Sequence, residues 1–266
     1  MGEAQDIQVK PQWRFSAPRW IRNIGGFLWR HKFSVVFVAA CVAAGTTAGV
    51  IHVREQIRQE RIIEAHRQRW LLLKADLENV IRDFNGDAGI VVKDLSTSWE
   101  FTFNKYERFP AASLLKLPIM LALYEAAQQG KLNLSDTFHL TESCKVGGSG
   151  VLKTIPAGAQ FTIDELIALM IDSSDNTATN ILLGMLDFTY FNRWFETFGL
   201  QQTSLARKMM DFRNRKKGVE NYTSAADIGY ALEKLYRKEF INPGYSDKCR
   251  LTEGHLGPCV SREVKR

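Results

Sequence analysis

The segment "FSVVFVAACVAAGTTAGVI" (Phe33–Ile51) runs 19 residues without a charge. No other feature restricts the chain so much. A membrane-spanning helix needs roughly 20 apolar residues, so this segment predicts a span over residues 33–53. Lys10, Arg14, Arg19, Arg22, Arg30 and Lys32 precede it. Such a basic flank favours a cytoplasmic N-terminus, with the rest of the chain on the extracytoplasmic side. A cleaved signal peptide is the alternative, but 32 residues ahead of the apolar core are long for one. Gly45 and Gly49 form a GxxxG pair. It reads first as small residues in an Ala-rich helix and second as a weak helix–helix dimer contact.

Charge follows the same division. The chain has 266 residues and a formal net charge of +6. Residues 1–69 carry 11 Lys/Arg against 5 Asp/Glu, whereas residues 70–266 carry 24 of each. A nucleic-acid-binding domain would hold its basic patch on the fold itself, so no nucleic-acid partner is expected. The four cysteines (Cys41, Cys144, Cys249, Cys259) form no CxxC pair, and the five histidines are scattered. Neither a metal site nor a cofactor is expected.

Beyond the span, Val53–Phe84 has helical character, first as a charged stalk over 54–69 and then with an amphipathic face from Trp70. "AGIVVKDL" and "WEFTFN" predict two strands joined by a turn. Thr162 and Glu165 form a capping box ahead of "IDELIALMI". "TATNILLGML" and Thr223–Phe240 predict further helices. Residues 241–266 lack periodicity and are expected to be irregular.

The stretch Leu114–Ala127 is apolar nearly all round, with only Lys116 and Glu125 charged. Such a helix should be buried. A buried ammonium tends to lose its proton. Lys116 follows Ser113 by three residues, so a helix would put both on one face. A serine hydroxyl is a weak nucleophile until a base takes its proton, and a neutral lysine is such a base. A helix N-terminus at Ser113 would also favour developing negative charge. Pro118 lies too deep for a helix that begins at Ser113, which predicts a local irregularity. Taken singly, Ser113 reads first as a cap, Lys116 as a snorkelling side chain, and Ser174 and Asn176 as turn and cap residues.

Two motifs stand together: Ser113-Leu114-Leu115-Lys116 (S-x-x-K) and Ser174-Asp175-Asn176 (S-D-N). With "RFPAASLLKLP", "GGSGVLKTIPAGAQFTIDELIALMIDSSDNTATNILL" and "GVENYTSAADIGYAL" around them, residues 70–240 resemble the serine penicillin-recognising enzymes, class A β-lactamases and D-alanyl-D-alanine peptidases. The resemblance implies an α+β fold, the α/β sandwich of the β-lactamase/transpeptidase type. It implies a serine hydrolase that forms an acyl-enzyme on β-lactam or cell-wall peptide amide bonds. Ser113 would be the nucleophile, Lys116 its base and Ser174 a proton relay. Asn176 would contact the substrate backbone, and Asp175 would brace the loop. The implied location is a bacterial inner membrane, crossed once.

Two positions depart from the family pattern. An Arg-x-Glu glutamate activates the deacylating water in class A β-lactamases; here Met209 stands two residues after Arg207, and Asp211 and Glu220 do not fit the pattern. A K-T-G or K-S-G motif on a later strand is also expected, and none follows Ser174; Lys153-Thr154 is followed by Ile155. The expectation is therefore a C-terminally truncated member whose sheet lacks its last strands. The alternative function is an inactive remnant or a binding or scaffold protein of the same fold.

Overall fold

The computed structural model describes residues 32–241 and 244–245. The expected basic segment 1–32, apart from Lys32, and most of the tail lie outside the described residues. The chain divides between Phe84 and Asn85 into two units.

Among the described residues, the first unit holds a single helix, α1 (Lys32–Asp83). The segments expected to form the span and the charged stalk are thus one continuous helix. Between Val50 and Asp83 there is no Gly or Pro, and Ala, Glu, Gln, Arg and Leu abound. Among the described residues this is the one helix long and apolar enough to cross a membrane; a signal sequence meets the same criterion. Its apolar end accommodates its own polar groups. Thr46 and Thr47 donate their hydroxyls to the Ala43 carbonyl at 2.9 and 2.8 Å, so neither needs water.

The second unit mixes strands and helices. β1 (Ile90–Lys93) and β2 (Glu100–Phe103) pair antiparallel, with Val92 opposite Phe101. Asp94 closes the turn by accepting from Ser96 N and Thr97 N. Two shorter antiparallel pairs follow: β3 (Phe109–Pro110) with β6 (Tyr222–Thr223), and β4 (Thr137–His139) with β5 (Gln160–Thr162). At two or three residues each, they are too short to show a period of two in the sequence.

The core is built around α2 (Lys116–Gln128). Ile119, Met120, Leu121, Ala122, Leu123 and Tyr124 are all buried, as an all-round apolar helix requires. Around it stand α3 (Ile163–Asp172), α4 (Asn176–Leu183), α5 (Phe188–Phe198) and α7 (Ala225–Tyr236), with the short α6 (Phe212–Lys216) between the last two. Leu166, Leu182, Phe195 and Leu235 fill the space. The predicted capping box forms: Thr162 Oγ1 accepts from Glu165 N at 3.1 Å, and Glu165 Oε2 accepts from Thr162 N at 2.8 Å. α7 joins the hairpin through Lys93 and Glu233, 2.6 Å apart.

One expectation needs correction. α2 does not begin at Ser113. Residues Ala112–Leu115 form a 3-10 turn, and the α-helix starts at Lys116. Pro118 therefore falls in the first α-helical turn, where its missing N–H costs nothing. Of the expected irregular tail, three residues are described, and two of them, Ile241 and Tyr245, pack on the core, with the Tyr245 ring 5.8 Å from that of Tyr124.

Candidate active site

Ser113 and Ser174 both sit on sharply bent backbone. Ala112, just before Ser113, has φ +45°, and Ser174 itself has φ +51°. Left-handed backbone at non-glycine residues costs energy, and such positions cluster at functional sites. The two bends bring together hydroxyls 61 residues apart in sequence: Ser174 Oγ donates to Ser113 Oγ at 3.2 Å.

Lys116 completes the chain. It is 3% exposed. Its Nζ donates to Ser174 O at 2.6 Å, to Ser174 Oγ at 2.9 Å and to Asn176 Oδ1 at 2.9 Å. All three donors of the ammonium are thus used. Burial lowers its pKa from 10.5 to about 8, with the negative charge of Asp175 opposing the shift. Roughly a tenth of the lysine is then neutral at pH 7.

Asp175 is 1% exposed and caps α4, accepting from Ala178 N at 2.9 Å. Its other oxygen accepts from Leu152 N at 2.8 Å. The glycine-rich segment 145–153 is thereby pinned to the S-D-N turn. Asn176 N donates to Ser149 O at 3.1 Å, Asn176 Nδ2 to Gly147 O at 3.2 Å, and Val146 N to Thr177 Oγ1 at 3.0 Å. Two glycines are needed for the fit. Gly150 (φ +109°) lies where a Cβ would overlap the Asp175 carboxylate, and a Cβ on Gly148 (φ +81°) would lie 2.6 Å from Asn176 Nδ2.

The predicted site residues Ser113, Lys116, Ser174, Asp175 and Asn176 thus form one cluster. The sequence reading missed the role of Gly148 and Gly150, and that of Asn180. Asn180 lies one turn along α4 and holds the backbone of Met209. A buried Asn in the middle of an apolar helix was the available signal.

The carboxylates near Met209 are committed elsewhere. Glu220 pairs with Arg207 at 2.6 Å and with Arg215 at 3.2 Å. Asp211 caps α6, and the hydrogen bond from the Asn214 backbone holds its carboxyl below the usual range.

The family model of the β-lactamase enzyme family matches residues 72–250. This chain belongs to that family. A β-lactamase of Rhodobacter capsulatus is 29% identical over 159 residues, covering 58% of this chain and 53% of the relative. The crystal structure of a β-lactamase from Sphaerobacter thermophilus superposes with a TM-score of 0.57 at 28% identity, covering 62% of each chain. The structure of PBP-A shares the fold at TM-score 0.62 and 24% identity, over 69% of this chain and 68% of that one. The β-lactamase-family chain described here thus spans about half the length of the Rhodobacter relative.

Proposed function

We propose that this β-lactamase-family chain is a membrane-anchored serine hydrolase acting through an acyl-enzyme on β-lactam or cell-wall peptide amide bonds. The observation that carries the reading is the hydrogen-bonded path Ser113–Ser174–Lys116, ending on a lysine whose pKa burial has lowered. In the reactive form Lys116 is neutral and both hydroxyls are turned round. Ser113 then donates to Ser174, and Ser174 to the amine. Ser113 Oγ attacks the carbonyl carbon while its proton passes through Ser174 to Lys116. The C–N bond breaks, Ser174 delivers a proton to the leaving nitrogen, and Lys116 restores the proton of Ser174.

Asn176 keeps one amide N–H beyond the one given to Gly147, and that N–H serves the substrate backbone. Asp175 acts as a positioning residue. Met209 offers no base for water, so the ester on Ser113 is long-lived. Residues 33–53 anchor the chain, 54–69 form a stalk and 70–240 form the hydrolase domain. The N-terminus is cytoplasmic and the domain faces the cell wall. The apolar end of α1 supports the anchor.

Labelling with a fluorescent penicillin tests the reading. The full chain should carry label, and Ser113→Ala should carry none. Label that survives Ser113→Ala overturns the nucleophile. A wild-type chain that is folded but takes no label favours the binding or scaffold function instead.

A further inference from the structure

Residues 207–217 carry six Lys/Arg against one Asp. The whole of residues 70–266 carries 24 of each sign, so the excess here is a local concentration of positive charge. The nearby acids do not cancel it. Asp211 caps α6, accepting from Asn214 N at 3.0 Å and from Asn214 Nδ2 at 2.7 Å. Glu220 is taken by Arg207 and Arg215. Lys208, Arg213, Lys216 and Lys217 are left exposed, and among the described residues none of them forms an ion pair.

A run of charge is most often a solvated face. Two observations set this one apart. Phe212 stands among the cations with 52% of its surface exposed. Helical spacing puts Phe212 beside Lys216 and Arg213 beside Lys217. The backbone that carries them is also fixed. Asn180 holds Met209 ahead of α6, and Val219 N donates to Asn214 O at 3.1 Å behind it. The segment borders the candidate active site: a Cβ on Gly148 would lie 2.9 Å from Met210 Sδ and 2.6 Å from Asn176 Nδ2.

We propose that Phe212, Arg213, Lys216 and Lys217 form a docking surface for an acidic polysaccharide, next to the candidate active site. The cations match carboxylate or phosphate groups spaced along such a polymer. The Phe212 ring covers the apolar C–H face of a sugar. The choice of a glycan over a nucleic acid rests on the placement proposed above, with this unit facing the cell wall. A polymer held here would bring its neighbouring groups to Ser113 at high local concentration.

The test holds the full chain in phosphatidylcholine nanodiscs and titrates fluorescent polygalacturonate over a range of salt. Phosphomannan supplies the phosphate-bearing alternative, and dextran is the neutral control. Saturable binding of an acidic polymer and none of dextran is expected, and the tighter polymer names the acidic group. Lys216→Gln/Lys217→Gln should bind roughly tenfold more weakly, with a salt slope shallower by about 2, and keep the wild-type melting temperature. Phe212→Ala should weaken binding and leave the salt slope unchanged. Ser113→Ala should bind as the wild type does, so the docking surface and the proposed hydrolase fail independently. The proposal is overturned if neither acidic polymer saturates, or if either α6 variant binds as tightly as the wild type. A DNA duplex that binds more tightly than both polymers overturns it in favour of a nucleic acid. Phosphatidylglycerol nanodiscs that shield residues 213–217 from trypsin, where polygalacturonate does not, overturn it in favour of a lipid surface.

Discussion

Asn180 holds Met209 by both of its backbone groups. Met209 N donates to Asn180 Oδ1 at 2.8 Å, and Asn180 Nδ2 donates to Met209 O at 3.0 Å. Both residues are buried, so these are bonds that water does not replace.

Asn180→Ala should therefore leave a buried N–H and a buried C=O unpaired, at a cost of about 2–4 kcal/mol. Denaturant unfolding measures the loss. The segment that follows Met209 should also loosen. Trypsin should cut at Arg213, Lys216 or Lys217, all exposed, faster in the variant than in the wild type.

Met209 stands two residues after Arg207, where the resemblance to class A β-lactamases implies a glutamate. Met209→Glu should restore a base for water and shorten the lifetime of the penicillin label by about 10²-fold. The chase of a fluorescent label after removal of free drug reads this directly. A lifetime unchanged in a folded Met209→Glu protein would show that Asn180 holds this position out of reach of the ester. The carboxylate enters a site only 8% exposed, so a stability loss of about 1–3 kcal/mol accompanies it.

The pKa of Lys116 sets a pH profile. Only the neutral amine takes a proton, and burial lowers the pKa to about 8. The acylation rate should rise with pH through about 8 and level off above it. Stopped-flow labelling between pH 6 and 9.5 gives the curve. Stability follows the same sign: the unfolded chain holds this proton up to 10.5, so the folded state gains as pH rises from about 8 toward 10.5. A flat acylation profile would remove Lys116 as the base.

Gly150→Ala should cost more than about 2 kcal/mol, since the new Cβ meets the Asp175 carboxylate on backbone that L residues avoid. The same substitution at Gly147, where a Cβ meets nothing within 4 Å, should be close to neutral. Comparing the two melting temperatures separates a loop that is merely glycine-rich from one fitted to the S-D-N turn.

Much of the fold was legible because the signals are local. The capping box at Thr162, the hairpin strands around Asp94 and the buried helix after Lys116 each declare themselves within a dozen residues. The pairs β3–β6 and β4–β5 do not, because two or three residues carry no periodicity and their partners lie far along the chain. The 3-10 turn at Ala112–Leu115 was legible only as a misplaced Pro118.

The sequence alone determined that a lysine follows a serine by three residues at the start of an apolar stretch, that an S-D-N turn exists, and that an uncharged segment precedes both. These are matters of residue type and spacing. Only the tertiary structure decided what Lys116 touches. Its acceptors Ser174 O, Ser174 Oγ and Asn176 Oδ1 lie 58 and 60 residues away. Spacing does not encode the solvent exclusion that lowers its pKa. That follows from the packing of α2 among the other helices, which removes water from one particular amine and leaves it facing the S-D-N turn.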